Sequence, residues 1–434
     1  MRRIWLCVAV LGCAAVARGD DWPQWMGPMR DNVWRETGLV DELPKEPKIL
    51  WRAPVAGGYS GPAVAGGKVY VTDYVTSDNV KIDNFDRKEF TGVERIHCFD
   101  EKTGKKIWSE EHPEKYAISY PAGPRSTPLV HAGKVYAQGA EGVLACFDAA
   151  SGQVLWHKSL KDTYNTKAAL WGYASQPLID GDKLIVIAGG EGSHCVALHK
   201  DTGEEIWRAG TAKEQGYSPP VIIEQAGGRQ LVLCSPESIY AVDPETGKQL
   251  WSVEYEGTNG SIIMTPLHHG NHLYIGGYDK KSILIELGAD KPTAKTLWRD
   301  KDEGAISAVN VQPFLMNGNV YGVDQGGELR CIDLPDGKIR WTTPQPLAAR
   351  KVPSGTVFLV RSGDTDKFWM FAETGDLIIG QLTPEGFKEL SRTHVINATN
   401  TAFGRDVVWC APAFANKRMY MRNDKELICV DLAK

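Results

Sequence analysis

Three features of the 434-residue sequence predict an all-β ring. The first is a stretch written again and again: Asp148 with Ser151-Gly152 and Trp156, and its relatives at Asp100 (Thr103-Gly104, Trp108), His199 (Thr202-Gly203, Trp207), Asp243 (Thr246-Gly247, Trp251) and Asp333 (Asp336-Gly337, Trp341). The second is a series of eight strand starts, each a Pro or its worn equivalent leading a short apolar run. The third is a strand that the last copy lacks and that stands instead near the N-terminus as Ile49-Leu50-Trp51. Repetition at roughly 45 to 50 residues signals propeller blades or solenoid units. A strand moved from one end of the chain to the other is what closing a ring requires. The predicted fold is a single eight-bladed β-propeller of four-stranded blades over residues 46–434, closed by the N-terminal strand.

Taken in order, the chain opens with a basic tip, Arg2-Arg3, an apolar run from Ile4 to Leu11, and small residues leading to Asp20-Asp21. That run is too short to cross a bilayer, and the pattern reads as an export signal over residues 1–19. A rival reading takes Val10-Leu11-Gly12-Cys13 as a degenerate lipobox, with a lipid anchor at Cys13 and no transmembrane span. Removing the signal takes away Arg2, Arg3 and Arg18 and no acidic residue, so the formal net charge of −5 becomes −8. A chain this acidic, without a basic run, argues against nucleic acid as a partner. Export places it in the periplasm, at the outer membrane, or outside the cell.

A leader segment, residues 20–45, precedes the repeats. Each unit then begins like Gly61-Pro62-Ala63-Val64 or Thr127-Pro128-Leu129-Val130, turns on Gly, and continues as an alternating strand such as Gly67-Lys68-Val69-Tyr70-Val71. Later starts fall at Pro177, Pro220, Pro266, Pro313 and Pro412, with a degenerate one near Ser354 to Phe358. The closing turn needs Gly because a positive φ there would clash with any Cβ. The fourth-strand anchors are Trp51, Trp108, Trp156, Trp207, Trp251, Trp298 and Trp341, with Leu390 standing in for Trp in the seventh unit. Large flat side chains at these positions read as core that covers the seams between blades.

Seven cysteines follow the signal, an odd number for an exported chain. Cys98, Cys146, Cys331 and Cys429 each stand two residues before the Asp that ends a repeat strand, where other copies carry Ala197 or Ala241. The slot wants a small buried side chain, and Cys serves as a small hydrophobe.

Repeats of the form Pro-x-apolar, Gly-Lys-Val-Tyr-Val and Cys/Ala-x-Asp-x-x-Thr-Gly-x-x-x-Trp resemble the pyrroloquinoline-quinone (PQQ) repeat propellers. The resemblance covers nearly all of residues 45–434. That family holds both quinoprotein alcohol dehydrogenases and the non-enzymatic BamB proteins of outer-membrane assembly, and Asp21-Trp22-Pro23-Gln24-Trp25-Met26-Gly27-Pro28 looks like the opening of exported BamB-like proteins. The enzyme branch implies PQQ with Ca²⁺ and, in several members, a disulfide between adjacent cysteines. This chain has no Cys-Cys pair and no Asp-x-Asp-x-Asp loop. His194-Cys195 with His199, and His268-His269 with His272, are the groupings that hint at a transition metal; Cys195 and His199 lie four apart on a strand, too far to chelate one ion, and the second group straddles the Gly270-Asn271 turn of an outer hairpin, where solvated His is common. Neither a Gly-x-Ser-x-Gly elbow nor a P-loop nor a His-Glu-x-x-His motif occurs.

Convergent side chains are expected where one blade's outer strand passes to the next blade's inner strand, on one rim of the channel. The candidates for a ligand or partner are Tyr59, Arg125, Tyr173, Gln176, Tyr217, Asn310, Gln312 and Trp409. Neighbouring Ser and Thr residues have a blander reading, as groups that tie off backbone turns. In the first unit the second-to-third strand connection swells between Asp73 and Glu94, a charged insertion suited to a lid or docking arm. The resulting expectation is a non-catalytic, exported, BamB-like binding or scaffolding propeller for an envelope protein, a peptide or a small ligand. No cofactor or metal is expected. The alternative is a quinoprotein oxidoreductase of alcohols or sugars that uses PQQ with calcium.

Overall fold

The repeated turn forms because its residues satisfy the backbone locally. In the computed structural model, which describes residues 20–80, 85–299 and 304–434, the Asp100 carboxylate accepts from the Thr103 N–H (2.8 Å) and hydroxyl (2.7 Å). Asp148 does the same with Ser151, and Asp243 with Thr246. These Asx-type turns bring Gly104, Gly152 and Gly247 to φ of 67°, 80° and 72°. The glycine meets a second constraint. A Cβ on Gly104 would lie 2.6 Å from the Trp51 ring, on Gly152 2.7 Å from Trp108, and on Gly203 2.8 Å from Trp156. The anchor Trp of one blade therefore packs on the turn glycine of the next. Its indole N–H donates to a carbonyl of that same turn: Trp51 to Glu101 (2.9 Å), Trp108 to Ala149 (3.2 Å) and Trp156 to Lys200 (3.0 Å). Burial of each ring contributes about 1.5–3 kcal/mol at a seam. Trp251 differs and donates to Gln230 of its own blade, since the fifth blade lacks the Thr-Gly turn.

Four-stranded antiparallel sheets occupy 63–116, 129–159, 178–209, 221–254, 267–299, 314–343 and 357–394. The eighth, 413–431, takes Ile49–Pro54 as its outer strand, with Trp51 opposite Cys429. The eight blades form the closed propeller that the sequence predicts. Helix among the described residues is confined to the single turn Leu160–Thr163 and a 3-10 turn at Thr258–Gly260. No described helix is long and apolar enough to cross a membrane. The export signal expected over residues 1–19, with its Cys13 alternative, lies outside the described residues.

All seven described cysteines are buried free thiols. Cys98, Cys146, Cys331 and Cys429 face the anchors Trp108, Trp156, Trp341 and Trp51 across the outer strand pair. Burial pushes the Cys98, Cys146 and Cys429 thiols up to about 12, which suppresses the reactive thiolate.

One expectation about the blades is corrected. Leu390 is not the seventh anchor. It sits in the bulge of its strand, 41% exposed, like Ile107 and Leu155 just before their tryptophans. The anchor position belongs to Ser391, opposite Ile379, and the Ser391 hydroxyl accepts from the N–H of Leu43, a buried leader residue that covers the gap. The first-blade insertion is strand only at its two ends: Lys68–Val75 and Phe90–Asp100 run on past the usual length, and Asp73 pairs with Arg95 inside the ladder, while the described residues between them, 76–80 and 85–89, are not strand. Asp73 is fully buried. Burial opposes its ionisation, yet hydrogen bonds from His97 (3.0 Å) and Arg95 (2.7 Å) hold its carboxyl well below the usual range.

The leader is part of the fold. Trp22 pairs with Val64 of blade one, the Pro23 carbonyl accepts from Val130 of blade two (2.8 Å), and Arg30 donates to Pro177 of blade three (2.9 Å) and Pro220 of blade four (3.4 Å). Val33–Trp34 pairs in parallel with the inner strand of blade seven, and both Trp22 and Trp34 pack on Phe414 of blade eight. These partners lie on, or at the start of, inner strands, so the segment lies across the central channel.

Candidate functional site

The connections between blades converge on the channel rim, and there they make one cavity of about 200 Å³. Serine hydroxyls next to its lining residues tie neighbouring blades together. Ser126 donates to the Ser175 carbonyl (2.9 Å), Ser175 to Ser218 (3.1 Å), and Ser218 to Met264 (2.8 Å), each reaching from one blade to the next. These serines are structural, but their bonds run between blades rather than tying off a turn. Gln176 accepts from Thr127 N–H (2.8 Å) and Gln312 from Thr265 N–H (2.7 Å). Both line the cavity, but their amide oxygens are taken up by this inter-blade belt. Asn310 also lines it, with its oxygen accepting from Thr356 (2.7 Å).

Tyr59, Arg125, Tyr217 and Trp409 line the cavity as the sequence predicts. Tyr173 does not. Its ring is buried against Gly142 and its hydroxyl donates to the Ala188 carbonyl (3.1 Å), which makes it a packing residue between blades. Arg125 stands over the Tyr59 ring, 5.1 Å from its centroid, and donates to the carbonyls of Ser119 (2.8 Å), Tyr120 (2.6 Å) and Gly123. Burial lowers its pKa. Trp409 donates to Glu373 (3.1 Å), which also pairs with Arg405 (2.6 Å), so the indole is fixed from behind.

Sequence reasoning missed most of the aromatic wall. Trp171 packs between Phe85 and Tyr217 at centroid distances of 5.7 and 5.6 Å, and Trp409 between Tyr120 and Phe403 at 5.6 and 5.9 Å. Phe85 comes from the first-blade insertion, while Phe403 tips the hairpin of Asn400–Ala402 and Arg405–Val407. Trp25 of the leader lines the cavity from the plugged side of the channel. The available signal was the presence of Trp and Phe in connections longer than a blade-to-blade turn requires.

The histidine groups are structural. His194 is buried between the Tyr240 hydroxyl (2.6 Å) and the Gln215 carbonyl (2.9 Å), and burial lowers its pKa to about 4. His269 and His272 pair across a hairpin turn. A grouping the sequence did not reveal, Glu94, His112 and Glu114, gathers its ligand atoms within 4.8 Å on the extended first blade. The Glu114 and Glu94 carboxylates raise the His112 pKa to about 9, so at neutral pH a proton already answers their charge.

PQQ with Ca²⁺ does not fit the cavity as built. No carboxylate is among the described residues that line it, the oxygens of Asn310, Gln176 and Gln312 have partners, and a hard cation needs several converging oxygen ligands.

A family model described as outer membrane protein assembly factor BamB matches residues 44–193, 92–343 and 191–433. The chain belongs to this BamB family. Among curated relatives, the outer membrane protein assembly factor BamB of Shewanella oneidensis is 25% identical over 226 residues, which cover 50% of this chain and 56% of that protein. The match thus spans little more than half of that relative's length. Among solved structures, BamB from Moraxella catarrhalis superposes with a TM-score of 0.53 at 14% identity, covering 88% of this chain and 97% of that one. The quinohemoprotein alcohol dehydrogenase of Comamonas testosteroni gives 0.60 at 14% identity, covering 97% and 82%. At such identities both likenesses show the fold alone. The protein is a BamB-like, PQQ-repeat propeller.

Proposed function

We propose that this BamB-like propeller is exported and acts as a non-catalytic binding or scaffolding protein in the periplasm or at the outer membrane, through the aromatic cavity on its channel rim. One observation carries the reading: the cavity gathers Tyr59, Arg125, Tyr217 and Trp409 with Trp171 and Phe403, and none of the described residues that line it is a carboxylate, histidine or cysteine. Such a lining recognises by stacking and hydrogen bonding. It supplies no carboxylate, histidine or cysteine among its described residues to act as general base or metal ligand. The name of the relatives, outer membrane protein assembly factor, supports an envelope protein or peptide as the partner class. The test is affinity purification from the protein's own cell envelope, wild type against a variant with both Arg125→Ala and Trp409→Ala, each first shown to share the wild-type melting profile. Envelope proteins recovered with the wild type should be lost with the double variant. Equal recovery with both would overturn a role for the rim.

A further inference from the structure

Deepening the binding role just described, we infer that the rim cavity is a receptor for an aromatic carboxylate, either a free aromatic acid or the C-terminal aromatic residue of a peptide. Two observations converge on this class. Arg125 is the single charged side chain among the described lining residues, and no carboxylate among the described residues forms an ion pair with it, the Glu94 charge acting on it only at longer range. Its known contacts are three backbone carbonyls and the face of Tyr59, which orient the guanidinium without neutralising it. A lone cation among aromatic walls is costly unless an anion joins it, and the planar fork of Arg matches a carboxylate. The second is size. An apolar cavity of roughly 150 Å³ holds a benzene ring, and this one, at about 200 Å³, holds one aromatic ring and a small acidic group. Trp171 and Trp409, each already packed edge or face on two further rings, supply stacking surfaces for it.

The test is calorimetric titration of the full chain with phenylacetate and with its neutral isostere phenylacetamide, and in parallel with a short peptide ending in Phe as free acid and as amide. The acid should bind about ten-fold or more tightly than the amide in at least one pair, as expected for loss of a charge-assisted hydrogen bond. The tighter pair tells a free acid from a peptide terminus. Arg125→Gln should erase the acid-over-amide preference. The acid-against-amide comparison on the wild type needs no variant, so misfolding of Arg125→Gln would leave the inference testable. Equal affinity for acid and amide, or no binding of either pair, would overturn it. If envelope proteins were still recovered through Arg125 and Trp409 in that case, the binding role would stand and only this ligand class would fall.

Discussion

Gly152 is held by two constraints that act in different places. Its φ of 80° strains any residue with a Cβ, and the Trp108 ring from the preceding blade fills the space a Cβ would take. Gly66, at φ 60°, meets only the first, with open space where its Cβ would be. Gly66→Ala should therefore cost about 1 kcal/mol, and Gly152→Ala about 2–4 kcal/mol, once overlap with the indole is added. Denaturant midpoints compare the two, and equal losses would contradict the seam contact. The backbone half of this was legible, because a Gly repeated at one turn position signals positive φ. The Trp half was not, since the partners lie over 40 residues apart and in different repeats. His112 gives a pH signature at the same scale. Its folded pKa, raised to about 9 by Glu114 and Glu94 from the ordinary 6.5, makes its contribution full below about 6.5 and lost as pH rises through 9. His112→Gln should lower the melting temperature at pH 6 and leave it near that of the wild type at pH 10. A constant difference across that range would contradict the ion pairing.

At the scale of elements, one outer strand carries the closure and the leader contributes Trp25 to the cavity wall. Ile49–Pro54 completes the last blade, and Trp51 from it docks on Gly104 and the Glu101 carbonyl of the first. Deleting residues 46–52 removes a sheet edge and a seam together, so the whole β signal should melt earlier in one transition. An unchanged melting profile would contradict closure by this strand. The missing fourth strand of the last repeat made this pairing legible. The leader's course across the channel was not legible, since its contacts to Val64, Val130, Pro177 and Pro220 follow no repeat. For the same reason Ser391, rather than Leu390, at the seventh anchor could be seen only once Leu43 was found beside it. Counting strands from composition located the apolar residue but not the bulge that turns it outward.

At the scale of the molecule, one chain makes a ring whose seams repeat and whose centre does not. Repetition explains why blade number, closure and the buried free thiols were readable from residue spacing. The centre is built from single residues of many connections, so Tyr59, Arg125, Tyr217 and Trp409 were legible from their place before an inner strand, while Phe85, Trp171 and Phe403 were not. The same fold accommodates quinoprotein dehydrogenases and BamB proteins, and this cavity offers stacking walls and one cation, with no carboxylate among the described residues that line it. The most direct measurement is reconstitution of the purified protein with PQQ and Ca²⁺, following the absorbance of bound quinone and dye-linked oxidation of alcohols and sugars. A binding propeller should show no turnover with any of them. Stoichiometric quinone uptake accompanied by substrate oxidation would contradict it.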